Sequence, residues 1–308
     1  MFFSSPDGDC FVRYTTVGFV DDSTCITGGD PNDTYEELKS KMTQDAQLWH
    51  DLLYVSGGKL ELPKCGYHIV YWDFDDFGIP QMKITKDNES IILQDDSGTN
   101  VTIGAKSIFQ SRKNLGHYKA PGGDRSIQAS KIEEKALTIV DCMLKCNCSR
   151  TENRMMYNTV FKTSVEYPLG QSFLSQTQLN SIERKTLPKI KAMCGFNRNT
   201  SKAIMEAPIE LSGGGFIPLH VTASASSVMH FVRNWRTVEE DLGKIIRITY
   251  ARAQFNAGVS FSLFERPDVK LPHLRGTVIN TLRSYLSSID VKIHLDNPMI
   301  RPSLREND

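Results

Sequence analysis

The chain lacks any apolar run approaching the roughly 20 residues that a membrane-spanning helix needs, although 40% of its 308 residues are hydrophobic. Its N-terminal segment, Met1-Phe2-Phe3-Ser4-Ser5-Pro6-Asp7, has no basic lead-in and too short an apolar stretch for a secretory signal. The seven cysteines are odd in number and irregularly spaced, which argues against a disulfide framework. Cys142, Cys146 and Cys148 lie close together but have no Cys or His pair downstream at zinc spacing. Net charge is also missing, since 36 Lys and Arg balance 36 Asp and Glu. Together these absences point to an intracellular protein of the cytoplasm or nucleus, with reduced thiols and no membrane partner.

The neutral total conceals a division. Residues 1–125 carry 12 Lys and Arg against 19 Asp and Glu, a net of −7, and residues 126–308 carry 24 against 17, a net of +7. The first part suits a cation and the second a polyanion. A chain of this length can bury a substantial core in more than one domain.

The residues around which the chain is organised run from Thr15 to Gly29. Asp21 and Asp22 sit between two β-prone runs, Thr15–Val20 and Ser23–Thr27, which reads as a tight hairpin with both carboxylates at its tip. Paired carboxylates raise one another's pKa and attract a hard divalent cation; a solvated turn is the plainer alternative. A helix follows over residues 34–56, begun by a capping-box-like Asp33 and Glu36, ended by Gly57-Gly58, and striped by Tyr35, Leu38, Met42, Ala46, Trp49, Leu52 and Leu53. Next come a lysine-bearing segment, Gly57 to Cys65, and a strand over Tyr67–Trp72. A hairpin is expected with Lys83–Thr85 and Ile91–Leu93 flanking 86–89, then a strand at 100–103.

Phe19-Val20-Asp21-Asp22 resembles the aromatic-x-Asp-Asp box of retroelement reverse transcriptases. Gly57-Gly58-Lys59-Leu60-Glu61-Leu62-Pro63-Lys64 is similar to the Gly-x-x-x-x-x-Lys segment after that box, and Leu115-Gly116 to the Leu-Gly hairpin of the primer grip. The resemblance covers residues 12–120 in order and spacing, with a looser likeness to a thumb beyond. It implies an α+β fold: part of a polymerase palm (1–125), an all-helical thumb (126–240) and a helical C-terminal extension (241–308). It implies template-directed DNA synthesis with Mg2+, or Mn2+ in its place, held by Asp21 and Asp22. Lys64 would lie near the incoming dNTP and protonate the leaving pyrophosphate; a loop-rim lysine is the alternative, and Lys59 the other match. Leu115 and Gly116 would touch the primer of an RNA or DNA template–primer.

The family also uses an aspartate on an earlier palm strand, and only Asp7 and Asp9 precede the hairpin here. The chain therefore reads as a C-terminal portion that needs an upstream palm or fingers segment and is inactive alone. The competing reading is a non-enzymatic nucleic-acid-binding remnant.

Beyond residue 125 the pattern is helical. Helices are expected at 127–147, at 154–174 with an interruption at Pro168, at 220–236, at 243–256 and at 273–288. Ser181 to Lys202 holds Arg184, Lys185, Lys189, Lys191, Arg198 and Lys202 against the single acid Glu183. Such a face neutralises phosphates, or is an ordinary solvated helix surface. Leu211 to Leu219 is a Gly-rich turn without P-loop spacing. Asp73 to Gly78 fails as an EF-hand because Ile84 stands where a bidentate Glu is required. Asp96-Ser97-Gly98 follows too polar a segment for an aspartic protease. The seven histidines, His117 and His220 among them, form no catalytic signature, and Trp49 and Trp72 read as core. Residues 1–11 read as a frayed lead-in.

Overall fold

The computed structural model describes residues 2–13, 16–19, 22–30, 32–85, 88–114 and 116–296. The protein is α+β, with about half of the chain helical and the strands gathered in small two-stranded sheets. The chain divides into two units, one of residues 13–127 with 1–2 and the other of residues 3–12 with 128–308.

The N-terminal segment is ordered as a hairpin: β1 (Phe2–Ser4) pairs with β2 (Phe11–Arg13). Ser5 closes the loop, its N–H donating to the Cys10 carbonyl at 2.8 Å and its hydroxyl accepting from the Cys10 N–H at 3.0 Å. Val12 is buried, and the Arg252 guanidinium donates to the Ser4 carbonyl at 2.8 Å. The polar composition that suggests fraying serves this loop, and the contacts from the helical unit order it.

In the first unit, β3 (Thr16–Phe19) pairs antiparallel with β4 (Asp22–Cys25). The helix α1 (Tyr35–Val55) starts one residue later than the sequence suggests. Thr34 is the N-cap and Glu37 completes the box, while Asp33 accepts instead from Lys41 at 2.7 Å. Such caps are worth about 0.5–2 kcal/mol. Gly57, at φ +82°, and the Gly58 N–H, donating to the Leu53 carbonyl at 2.8 Å, end the helix as a Schellman motif. The expected stripe holds for Tyr35, Leu38, Met42 and Ala46, but Leu52 faces solvent and His50 is buried in its place.

The strand expected at 67–72 is reduced to a single bridge between Tyr67 and Ala105; Tyr67 and Ile69 are buried along it. Pairing begins only with β5 (Trp72–Phe74) against β6 (Pro80–Met82), and Trp72 is half exposed rather than core. Of the hairpin expected around 86–89, residues 86 and 87 lie outside the described residues. The described pairing sets β7 (Ser90–Gln94) against β8 (Asn100–Gly104) instead, turning at Asp95-Asp96-Ser97-Gly98. The Asp95 carboxylate accepts the Ser97 and Thr99 N–H groups at 2.9 and 2.8 Å, and Gly98 takes φ +76°. Asp75 organises the β5–β6 loop in the same way, accepting from Phe77 and Ile79. These aspartates make turns, each with a carboxylate oxygen occupied by backbone N–H groups. Last in the unit is β9 (Arg112–Asn114), antiparallel to β10 (His117–Lys119).

The second unit holds α2 (Ser126–Lys145) from Gln128 onward, α3 (Arg150–Met156), α4 (Lys162–Ser172), α5 (Gln176–Met193), α6 (Lys202–Glu206), α7 (Leu219–Trp235), α8 (Asp241–Ala257) and α9 (Val278–Ser288). A π-helical stretch, Tyr157–Phe161, joins α3 to α4 without a break. Pro168 lies inside α4 rather than interrupting it. Its missing N–H frees the Ser164 carbonyl, and Lys135 donates to that oxygen at 2.7 Å. One core gathers Ile132, Val140, Phe161, Leu169, Ile182 and Leu219; another gathers Phe231, Trp235, Tyr250, Phe264, Leu282 and Leu286. The helix α7 contributes to both, so the 126–240 and 241–308 segments meet along it.

Candidate functional site

In the β3–β4 hairpin the register sets Thr16 opposite Cys25, Val17 opposite Thr24, Gly18 opposite Ser23 and Phe19 opposite Asp22. Asp22 therefore opens β4, and Asp21 lies outside the described residues. The indole N–H of Trp49 donates to the Ser23 hydroxyl at 3.2 Å, which lays β4 beside α1. Further along, the Thr27 hydroxyl donates to the Asp45 carboxylate at 2.6 Å. Burial, before any charge effect, pushes up the thiol pKa values of Cys25 on this hairpin and of Cys65 on the lysine segment. Among the described residues no three His, Cys, Asp or Glu side chains gather as a metal-ion site. The Asp45 carboxylate beside this hairpin accepts from Thr27 through one oxygen.

The segment carrying Lys64 is a short 3-10 turn, Leu62–Lys64, seated by buried Leu62. Arg112, on β9, clamps it: one guanidinium N–H donates to the Gly66 carbonyl and another to the Lys64 carbonyl, each at 2.7 Å. Behind it, the Lys106 N–H donates to the Tyr67 carbonyl at 2.8 Å, and His68 meets the Ser107 carbonyl at 3.1 Å. Lys64 itself is exposed, and its ammonium has no ion pair or hydrogen bond among the described residues. Lys59, the other match in the sequence, is paired with Asp96 at 3.4 Å. Asp96 also meets buried His50 at 3.2 Å, which ties the β7–β8 turn to α1.

Gly116 sits in the β9–β10 turn at φ +82°, a conformation that favours glycine; Leu115 lies outside the described residues. The two strands of this hairpin thus serve different ends. Its N-terminal strand holds the Lys64 segment through Arg112, and its C-terminal strand begins with buried His117, whose pKa burial holds below the ordinary range.

The six cations of residues 184–202 do not form one face. Lys185 pairs with Glu133, and Lys189 with Asp141 at 2.5 Å, so both are engaged by α2. Arg184 and Lys191, at i and i+7, lie on another face of α5, about 100° around the helix from Lys185. Together with Arg198, Lys202, Asn180 and Glu183 they line an open cleft of about 410 Å³. Both Glu183 oxygens are occupied, one by the Leu219 N–H at 2.5 Å and one by Lys202 at 2.9 Å. Burial lowers the Lys202 pKa, but Glu183 and Glu206 more than offset it, and the net shift is upward. Lys191 donates to the Thr200 carbonyl at 2.6 Å and holds the 198–200 loop against α5. Arg184 and Arg198 are exposed, and their guanidinium groups have no partner among the described residues.

Arg112, Asn180 and Glu183 escape a reading of the sequence because nothing local marks them; only the fold brings Arg112 within reach of carbonyls 46 and 48 residues away. No helix among the described residues is long and apolar enough to cross a membrane. No protein-family profile matches the chain, and no curated protein or solved structure matches it either.

Proposed function

We propose that the chain is part of a retroelement reverse transcriptase, comprising the C-terminal part of a palm and a helical thumb. The observation that carries the reading is the Phe19–Asp22 hairpin laid beside α1 and followed by an exposed Lys64 with no partner among the described residues. A clamped lysine segment and a glycine-turned hairpin at 112–119 come next, in the order the resemblance requires. The reaction is template-directed DNA synthesis, in which the primer 3′-oxygen attacks the α-phosphate of a dNTP and pyrophosphate leaves. Mg2+, when bound, supplies the activation of the primer hydroxyl and the clamping of the triphosphate. Asp21 and Asp22 are the carboxylates we assign to it. Lys64 donates its proton to the departing pyrophosphate, and Arg112 sets the direction from which it reaches.

Two-metal transfer holds its cations about 3.5–4 Å apart, usually on carboxylates from two strands, and this hairpin offers one pair. Purified residues 1–308, given primer–template, dNTP and Mg2+ or Mn2+, should therefore incorporate nothing. Adding an upstream palm segment with its own aspartate-bearing strand, fused or in trans, should restore incorporation, and Asp21→Asn should then abolish it. Incorporation by the unaided chain would refute the partial-palm reading. Restored incorporation that survives Asp21→Asn would refute the assignment of the hairpin. The second reading, a nucleic-acid-binding remnant without catalysis, is favoured by the cationic cleft on α5, which needs nothing from the first unit.

A further inference from the structure

We infer that the cleft formed by α5 and residues 198–202 is a phosphate site that grips one or two phosphates of a single nucleic-acid strand, with Arg184 and Arg198 as its clamp. Four cations and one carboxylate line it, a net of +3, and the carboxylate is fully engaged by Lys202 and the Leu219 N–H. Lys191 is committed to the Thr200 carbonyl and Lys202 to Glu183 and Glu206, so these two shape the walls and contribute field. The two guanidinium groups are left with all their donors free among the described residues. A guanidinium presents two parallel N–H donors that match two phosphate oxygens, and two such groups lining one cleft can serve one phosphate or two adjacent ones. Asn180 adds an uncharged donor at the rim.

The occupant is limited by what α5 does elsewhere. Lys185 and Lys189 are neutralised by Glu133 and Asp141, so no continuous cationic stripe runs along the helix for a length of duplex to follow. Of the six cations between 184 and 202, the two without a partner among the described residues both line the cleft. That geometry suits a point on a strand, either an internal phosphodiester or the terminal phosphomonoester. The terminal group carries about −1.5 to −2 charge against −1 for the internal one, and more free oxygens. This inference deepens the nucleic-acid reading of the helical unit and rests on it for the source of the phosphate, not for the clamp.

The test uses the full chain and fluorescein-labelled 12-mer oligonucleotides, one with a 5′-phosphate and one with a 5′-hydroxyl, read by anisotropy over a salt series. Inorganic tripolyphosphate serves as competitor. The double variant Arg184→Gln/Arg198→Gln should weaken binding at least ten-fold and flatten the log–log salt slope by about 0.7 for each phosphate no longer neutralised. The double variant Lys185→Gln/Lys189→Gln should leave both unchanged, and circular dichroism of each variant verifies folding. Tighter binding of the phosphorylated oligonucleotide assigns the terminal group, and equal binding assigns internal phosphodiesters; either supports the clamp. Oligonucleotide binding indifferent to Arg184 and Arg198 would overturn the clamp while leaving the nucleic-acid reading in place. Tripolyphosphate held in an arginine-dependent way, with no oligonucleotide binding, would support the clamp and overturn the source. Absence of binding by every probe at millimolar concentration would overturn both.

Discussion

Arg112→Met should loosen the Lys64 segment without unfolding either unit. The substitution keeps an unbranched apolar stem and deletes the two N–H groups that hold the Gly66 and Lys64 carbonyls, both at 2.7 Å. Hydrogen bonds from a charged donor are worth about 1.5–3 kcal/mol each when shielded, and less when exposed. One of these is partly buried and the other exposed, so we expect about 2 kcal/mol in all, roughly a thirty-fold change in the local opening equilibrium. The amides of Lys64 and Cys65 donate to the carbonyls of Glu61 and Leu62 inside the clamped turn and report that opening directly. Hydrogen exchange followed by mass spectrometry should show them exchanging about thirty-fold faster, while peptides from α2 to α9 are unaffected. Arg112→Lys should fall between, since one ammonium reaches one carbonyl well. Unchanged exchange at 64–65 would show that Leu62 and the Tyr67–Ala105 bridge hold the segment unaided, and that Arg112 does not position Lys64.

Gly213→Ala should destabilise the helical unit by about 2–3 kcal/mol through overpacking, because a Cβ there would stand 2.1 Å from the Ala207 carbonyl oxygen; a thermal melt lowered by less than a degree would refute that close approach. Burial holds the imidazoles of His68 and His117 below their ordinary 6.5, so the unfolded chain binds their protons first. The stability they contribute is fully present above about pH 6.5 and is lost as pH falls below it; the urea midpoint of the first unit should decline over that window, and His68→Gln should flatten the decline. Phe161→Ala, at a position 1% exposed in the core of the second unit, should cost about 3–5 kcal/mol, readable as a lowered denaturation midpoint.

The helices were legible because their signals are local. The apolar spacing of Ile132, Ala136, Val140 and Met143 on α2, the glycines after α1 and the long amphipathic α7 all act within a few residues of themselves. The β3–β4 pairing belongs to the same class, since its two runs are neighbours in the chain. Pro168 misled because part of a proline's cost in a helix is the carbonyl it orphans, and Lys135, 29 residues from Ser164, pairs that carbonyl. The strand pairings between 67 and 104 misled for a related reason. Which runs join is settled by the loops that close best, here those built on Asp75 and Asp95, rather than by the β-propensity of the runs.

The sequence by itself determined an α+β chain with an acidic first part and a basic second part, a hairpin pairing residues 16–19 with 22–25, and a run of six cations between 184 and 202. Only the tertiary structure decided which of those cations are available. Lys185 and Lys189 are removed by carboxylates 52 and 48 residues away on α2, whereas Arg184 and Arg198 find none among the described residues. It also decided that Lys64 has no partner among the described residues where Lys59 is paired, and that Arg112 reaches the Lys64 segment. The reason is one of range: turns, caps and periodicity follow from bonds between near neighbours, while the charge left over at a surface depends on every group that folding brings within a few ångströms of it.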